Sequence, residues 1–533
     1  MFGAGKSRFS VYTGYILYFD FRMNDMKERK NHRAFFAVLV LCCLLCGCSG
    51  GGADEGAEAE DLTFRFGVDF SLETLDSHRD SSNNVRALSD PMHGFLVWWD
   101  TENENLEGDL ARDWTWANDM ELLVFLKRSH YFSNGRGVTA DDVVYTFERV
   151  LDPEWGSLRY SVFAEVISSV TAQDLYTVRF KLKRPDAIFL SRLTQVPNLC
   201  EESIDTLGYA PVGCGPFSFV SWDKSGDLVM KRSPYYPQTG TRYANYSSLI
   251  VRSYENREDL YDAFVDGEID SMQIDPTELL SVTADTDAYI QGGLGTSYYL
   301  AGNQDHELLS TWGVMQAIKY AVDREEIVNL ALYGFGNQVL APLSLDSPHY
   351  PHEQEYERDL DLAREWLKVA GYPNGFSVEL TVSDQLRMPQ LANLLSAQLG
   401  EVGIRVKVRV VSVEAFADLW RTGDFELVLY NTAIAREPAE KYRQWVSRNQ
   451  TNYISYRNVM FDHLYEVGST TMDPTAQKYY FDWLQKTFLR DAVVQYLVNH
   501  HIFYAVHQNW TGLESHFMIT DFTSVRPTGR GGA

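Results

Sequence analysis

Residues 63–70 (TFRFGVDF) place Phe64, Phe66, Val68 and Phe70 at alternate positions, the period of a strand with one buried face. Residues 122–127 are strand-like as well. Thr139-Ala-Asp-Asp142 then opens a helix as a capping box, with Val143, Phe147, Val150 and Leu151 on one side and Asp152-Pro153 ending it. From about residue 298 the period becomes helical. Residues 312–321 form one stretch, Asp323 caps a second carrying Ile327, Leu330 and Ala331, and Leu360, Ala363, Leu367 and Ala370 mark a third, closed by Gly371 and Pro373. The clearest unit follows: a strand over 376–383, a helix carrying Leu391, Leu395, Leu399 and Val402, and strict alternation over 404–410 (IRVKVRV). This predicts a strand, helix, strand crossover. After a helix near 415–420, residues 425–430 (FELVLY) are apolar apart from Glu426, which suits a buried parallel strand. The chain is therefore α/β, and because ligands of open α/β sheets bind beyond the carboxyl ends of the strands, residues from Asn431 onward face the expected crevice.

The N-terminus departs from this pattern. Residues 26–33 (MKERKNHR) are basic and residues 34–45 are unbroken apolar, the layout of a secretory signal. A membrane-spanning helix needs about 20 apolar residues, so this run is too short for a permanent anchor. Leu45-Cys46-Gly47-Cys48 follows, resembling the bacterial lipobox, with Cys48 as the lipidated residue. Residues 1–47 are read as the signal region, with translation starting at Met1, Met23 or Met26. Residues 48–61 hold small and acidic residues and no large apolar side chain beyond the lipidated cysteine, so they form a flexible tether. The globule is expected in the bacterial cell envelope, lipid-anchored and facing the periplasm or the cell exterior.

Charge narrows the partners. Residues 1–47 hold 7 of the 47 basic and 3 of the 73 acidic residues, which leaves 40 against 70 and a net charge of −30. Phosphate neutralisation needs Lys and Arg clusters, so nucleic-acid binding is excluded as a reading. About 470 residues after the tether are enough for two or three domains. Aromatics at 14% exceed what cores require and suit a pocket that grips varied ligands. Only Cys200 and Cys214 lie outside the signal region. In an exported chain they are either a disulfide, which for a loop of that size stabilises by about 3 kcal/mol, or two separate buried thiols.

No catalytic signature stands out. His306-Glu307 is half of a zinc-protease motif without its second histidine, and His349 and His352 sit in a proline-punctuated loop without a nearby third ligand. Gly334-Phe-Gly336 lacks the third glycine of a dinucleotide loop, and the Asp141-Asp142 pair is explained by helix capping. No enzyme, metal or cofactor is assigned.

Three stretches carry a resemblance. Residues 110–148 include Leu-Ala-Arg-Asp-Trp114 and Tyr131-Phe-Ser-Asn-Gly135. Residues 210–217 read Ala-Pro-Val-Gly-Cys-Gly-Pro-Phe, followed by Trp222 and Lys231-Arg-Ser-Pro-Tyr235. Residues 316–324 read Gln-Ala-Ile-Lys-Tyr-Ala-Val-Asp-Arg, with Tyr333-Gly-Phe-Gly336 behind them. In order and spacing over residues 62–520 the chain resembles the solute-binding lipoproteins of peptide and nickel ABC importers. The resemblance implies a two-lobed periplasmic-binding-protein-like fold with an extra subdomain inserted in the first lobe. Lobe I takes 62–99, 211–297 and 506–533, the insert 100–210, and lobe II 298–505. It also implies a monomer that encloses a peptide or small solute and delivers it to a membrane permease served by a separate ATPase. The glycines of the Pro211–Pro216 loop are read as permitting a tight backbone rather than as touching ligand.

One departure bears on the ligand. Peptide binders of this family usually follow the strand matching residues 425–430 with an aspartate for the ligand's amine, whereas here Ile434 or Ala435 stands at that point. The expected ligand-binding residues are Tyr430, Asn431, Thr432, Arg436, Glu437 and Trp445. Glu437 is the candidate to take over the amine, and Arg436 and Arg443 the candidates to pair with an anion. The departure keeps open an oligosaccharide or a metal chelate as ligand, and an envelope receptor or adhesin as role.

Overall fold

The computed structural model describes residues 62–528 apart from 81, 101–104, 241, 353–356, 386 and 517–518. Cys48 and the tether lie outside the described residues.

The predicted first strand forms as Thr63–Val68, with Phe64, Phe66 and Val68 buried. It pairs in parallel with Ser248–Ser253 and with Ser271–Ile274. The antiparallel strands Asp227–Arg232 and Phe217–Trp222 extend this side. One core of this lobe gathers Phe64, Phe66, Leu249, Tyr246, Trp510 and Phe522, and another gathers Leu260, Phe264, Ile269 and Met272. Between Thr63–Val68 and Phe217–Trp222 the chain builds a four-stranded antiparallel sheet, Ala111–Asn118, Glu121–Leu126, Thr177–Leu182 and Ile167–Asp174. The helix Ala140–Leu151 packs on it through Val143, Phe147 and Val150. The predicted capping box is present: the Thr139 amide donates to Asp142 Oδ2 at 2.8 Å, and Asp142 also receives Arg136.

The crossover predicted from periodicity is the centre of lobe II. Phe376–Ser383 and Ile404–Val411 pair in parallel with the helix Met388–Gly400 between them. Leu427–Thr432 joins the other side of Phe376–Ser383, also in parallel. Ile404–Val411 is the edge strand, which is why Val410, apolar by pattern, is exposed.

Two long strands, Tyr289–Gly302 and Val494–Val506, join the lobes and pair with each other in antiparallel fashion along nearly their whole length. They make one eleven-stranded sheet of both lobes. Their register shifts between Leu294 and Ser297, a bulge that bends the ribbon where the lobes meet. Gly295 is required there, since a Cβ would sit 2.5 Å from the His500 ring, and Asn499 Nδ2 donates to the Gly295 carbonyl at 2.7 Å. No helix among the described residues is long and apolar enough to cross a membrane.

Candidate functional site

Two cavities lie between the lobes. The smaller, about 180 Å³, is walled on the lobe II side by residues 433–437 and Lys441, and on the other by Trp98, Trp99 and Arg86. The larger, about 820 Å³, reaches the hinge and is lined by Asp275, Tyr298, Arg387 and His500. Asn83, Thr520 and Phe522 line both, so the two are neighbouring compartments of one cleft.

The lobe I wall is fixed by a buried ion pair. Arg242 lies 4.2 Å over the Trp98 ring and 5.1 Å over Phe95, and its Nη1 stands 3.5 Å from Asp109 Oδ2. On the lobe II wall, Arg436 stacks 4.8 Å over Trp99 and pairs with Asp346 at 3.3 Å. Glu437 stands at the N-cap of the short helix Pro438–Tyr442, with His349 at 3.8 Å and the charges of Glu440 and Arg436 close by. Burial, reinforced by Glu440, raises the Glu437 pKa, and burial lowers that of His349 to about 4. Near the hinge Arg387, with φ +73°, bridges the lobes through Asp275, and burial together with Arg387 pushes His500 down to about 4.

The structure sorts the predicted residues. Arg436 and Glu437 line the smaller cavity together with Ile434 and Ala435, which are themselves buried. Tyr430 does not line either cavity; it packs on Phe416 and Trp420 at 5.2 and 5.3 Å in the lobe II core. Trp445 is likewise core, fully buried, stacked on Phe488 and donating to the Tyr496 hydroxyl at 3.3 Å. Burial of such a side chain contributes about 1.5–3 kcal/mol, reason enough for an aromatic there without a ligand. Asn431 and Thr432 continue the strand, opposite Tyr298 and Ser297, rather than opening the loop. Cys200 and Cys214 are free, buried thiols, and burial raises the pKa of both. Among the described residues no group of three or more His, Cys, Asp or Glu is arranged to hold a metal. The pattern missed Trp98, Trp99, Arg86 and Lys441. An adjacent tryptophan pair ending an apolar run was the available signal.

Arg443 belongs to the closure of the cleft. Its guanidinium grips Glu165 of the insert at 2.6 and 3.2 Å and the Ser161 carbonyl at 3.3 Å. Arg184–Glu466 at 3.1 Å and the Ala187 amide on the Ser469 carbonyl at 3.1 Å add to the same seam. The pair is half-exposed on the Glu165 side, which limits it to about 1 kcal/mol. Arg443→Ala is therefore expected to raise the ligand off-rate about fivefold in stopped-flow fluorescence. An unchanged off-rate would make the seam a bystander.

The family model of the bacterial extracellular solute-binding proteins, family 5 Middle, matches residues 105–453. The chain is 26% identical to the probable D,D-dipeptide-binding periplasmic protein DdpA of Escherichia coli, over 80% of this chain and 86% of that one. It is 25% identical to the oligopeptide-binding protein AppA of Bacillus subtilis, over 92% and 97%. Among solved structures, the ABC transporter substrate-binding protein CtaP of Listeria monocytogenes shares the fold with a TM-score of 0.79 at 20% identity, over 87% of this chain and 99% of that one. With the matched region covering well over half of its length, the chain belongs to the bacterial extracellular solute-binding proteins of family 5.

Proposed function

We propose that this protein is the capture component of an ABC importer. It is lipid-anchored through Cys48 at the cell envelope, facing the periplasm or the exterior, encloses a peptide between its lobes and passes it to the permease and its separate ATPase. It binds and does not catalyse. The observation that carries the peptide reading is the two-compartment cleft with Glu437 in its wall, in a chain whose relatives are named for dipeptide and oligopeptide binding. Glu437 takes the ligand's α-amino group in place of the family's aspartate. Lobe closure excludes water and strengthens that contact.

Native mass spectrometry of the purified protein tests the ligand class: a co-purifying peptide is expected, and a glycan or metal chelate would overturn the reading. Glu437→Gln is expected to weaken a free-amine peptide about 10- to 100-fold, the range of a hydrogen bond to a charged group, while an N-acetylated peptide changes little. Equal effects on both would remove Glu437 from the amine site. The carboxylate form is the one that binds an ammonium. Because burial raises the Glu437 pKa, wild-type affinity for the free-amine peptide falls on acidification at a higher pH than an ordinary carboxylate would give.

A further inference from the structure

Most charges in the smaller cavity are already satisfied. Arg86 pairs with Asp90 at 3.3 Å, Arg242 with Asp109 at 3.5 Å, and Arg436 with Asp346 at 3.3 Å, while Glu440 accepts from Gln195 across the cleft at 3.3 Å. Lys441 is different. It lines the cavity from the helix Pro438–Tyr442, one turn beyond Glu437, and has neither a hydrogen-bonded acceptor nor an ion-pair partner among the described residues. Burial lowers its pKa, with only Glu440 opposing. Lys441 is half-buried and faces the cavity, so its ammonium meets water until a ligand fills that space, and an ammonium stripped of water without a partner is unfavourable by several kcal/mol. Ile434 and Ala435 on the same wall are buried and apolar, and neither Glu437 nor Glu440 forms an ion pair with Lys441 among the described residues. The result is a compartment in which an unpaired Lys441 stands a single helical turn from Glu437, whose ion-pair contact is His349 at 3.8 Å.

We propose that Lys441 receives a carboxylate of the bound ligand, so that the cleft selects peptides carrying an acidic side chain within their first two residues, beside the amine held by Glu437. This rests on the peptide reading above and narrows it. A neutral peptide leaves Lys441 stripped of water and unpaired. An acidic one converts that penalty into a charge-assisted hydrogen bond in a closed, low-dielectric site.

Isothermal titration of the purified protein with Ala-Ala-Ala-Ala, Glu-Ala-Ala-Ala and Ala-Glu-Ala-Ala tests it. At least one acidic peptide is expected to bind tenfold or more tightly than tetra-alanine. Lys441→Met is expected to bring that ratio to about one, and Lys441→Arg to keep it above one. Wild-type protein that binds all three alike, or a Lys441→Met protein that keeps the ratio, overturns the inference and leaves the peptide reading standing. Wild-type protein that binds none of the three overturns both. Should Lys441→Met fail to fold, the wild-type ratio and the Lys441→Arg protein still decide the matter.

Discussion

Asp109→Ala is expected to destabilise the protein by about 3–5 kcal/mol, the range for removing one partner of a buried ion pair. Asp109 is fully buried and satisfies three groups at once. Its Oδ2 accepts from the Phe95 amide at 2.8 Å and faces Arg242, and its Oδ1 accepts from the Tyr236 hydroxyl at 2.8 Å. Arg242, 3% exposed, keeps backbone acceptors at His93 and Asp90 at 2.8 and 2.7 Å, but in the variant its charge loses the carboxylate paired with it, the only one among the described residues. The loss reaches the site because the same guanidinium holds Trp98 at 4.2 Å. Chemical denaturation followed by tryptophan fluorescence should show the drop in midpoint, and peptide affinity should fall with it. Asp109→Asn, which keeps an acceptor but no charge, should fall between. A midpoint unchanged in Asp109→Ala would mean that the wall is held by packing alone.

The features legible in the sequence were the local ones. The crossover around Met388–Gly400 could be read because each of its elements carries its own period, and the capping box at Thr139 because both partners lie within one helical turn. The resemblance built on three motifs also pointed to the family that the matched region shows. The hinge strand Tyr289–Gly302 was hidden. Gly292, Gly293 and Gly295 interrupt its alternation, and the reason for Gly295 is a histidine ring some two hundred residues away. The site divides in the same way. The rule that ligands sit beyond strand ends pointed to residues from Asn431 onward, whereas the cavity wall begins at Ala433 because Asn431 and Thr432 still belong to the strand. Tyr430 and Trp445 were misread because an aromatic close in sequence to a cleft serves a core equally well, and only packing separates the two. The opposite wall comes from Arg86, Trp98 and Trp99, more than three hundred residues upstream, and no local pattern brings them to Glu437. The unpaired state of Lys441 is likewise a property of its neighbours rather than of its own stretch of chain.

Gly213→Ala is expected to be destabilising by about 3 kcal/mol, the upper end of what overpacking a well-filled interior usually does. The loop Pro211-Val-Gly-Cys-Gly-Pro216, which lines neither cavity, threads between the start of the insert and the turn at Met92. The Gly213 carbonyl accepts from the Ser133 amide at 2.8 Å, and the Gly215 amide donates to the Met92 carbonyl at 3.0 Å. A Cβ on Gly213 would stand 1.8 Å from that same Met92 oxygen and 2.7 Å from its carbon. Both are backbone atoms, so no side-chain rotation relieves the overlap, and the loop must move away from the residues that carry it. The glycine is needed for close approach and not for a left-handed backbone, since Gly213 is not among the positive-φ residues. Gly400→Ala is the control: it lies at the end of Met388–Gly400 with nothing within 4 Å of the place an alanine methyl would take, so alanine there should be neutral or stabilising by up to about 1 kcal/mol. Urea denaturation of the two variants beside the wild type reads the contrast directly. Equal midpoints for Gly213→Ala and wild type would show that the loop yields freely, and its glycine would then need a reason other than packing.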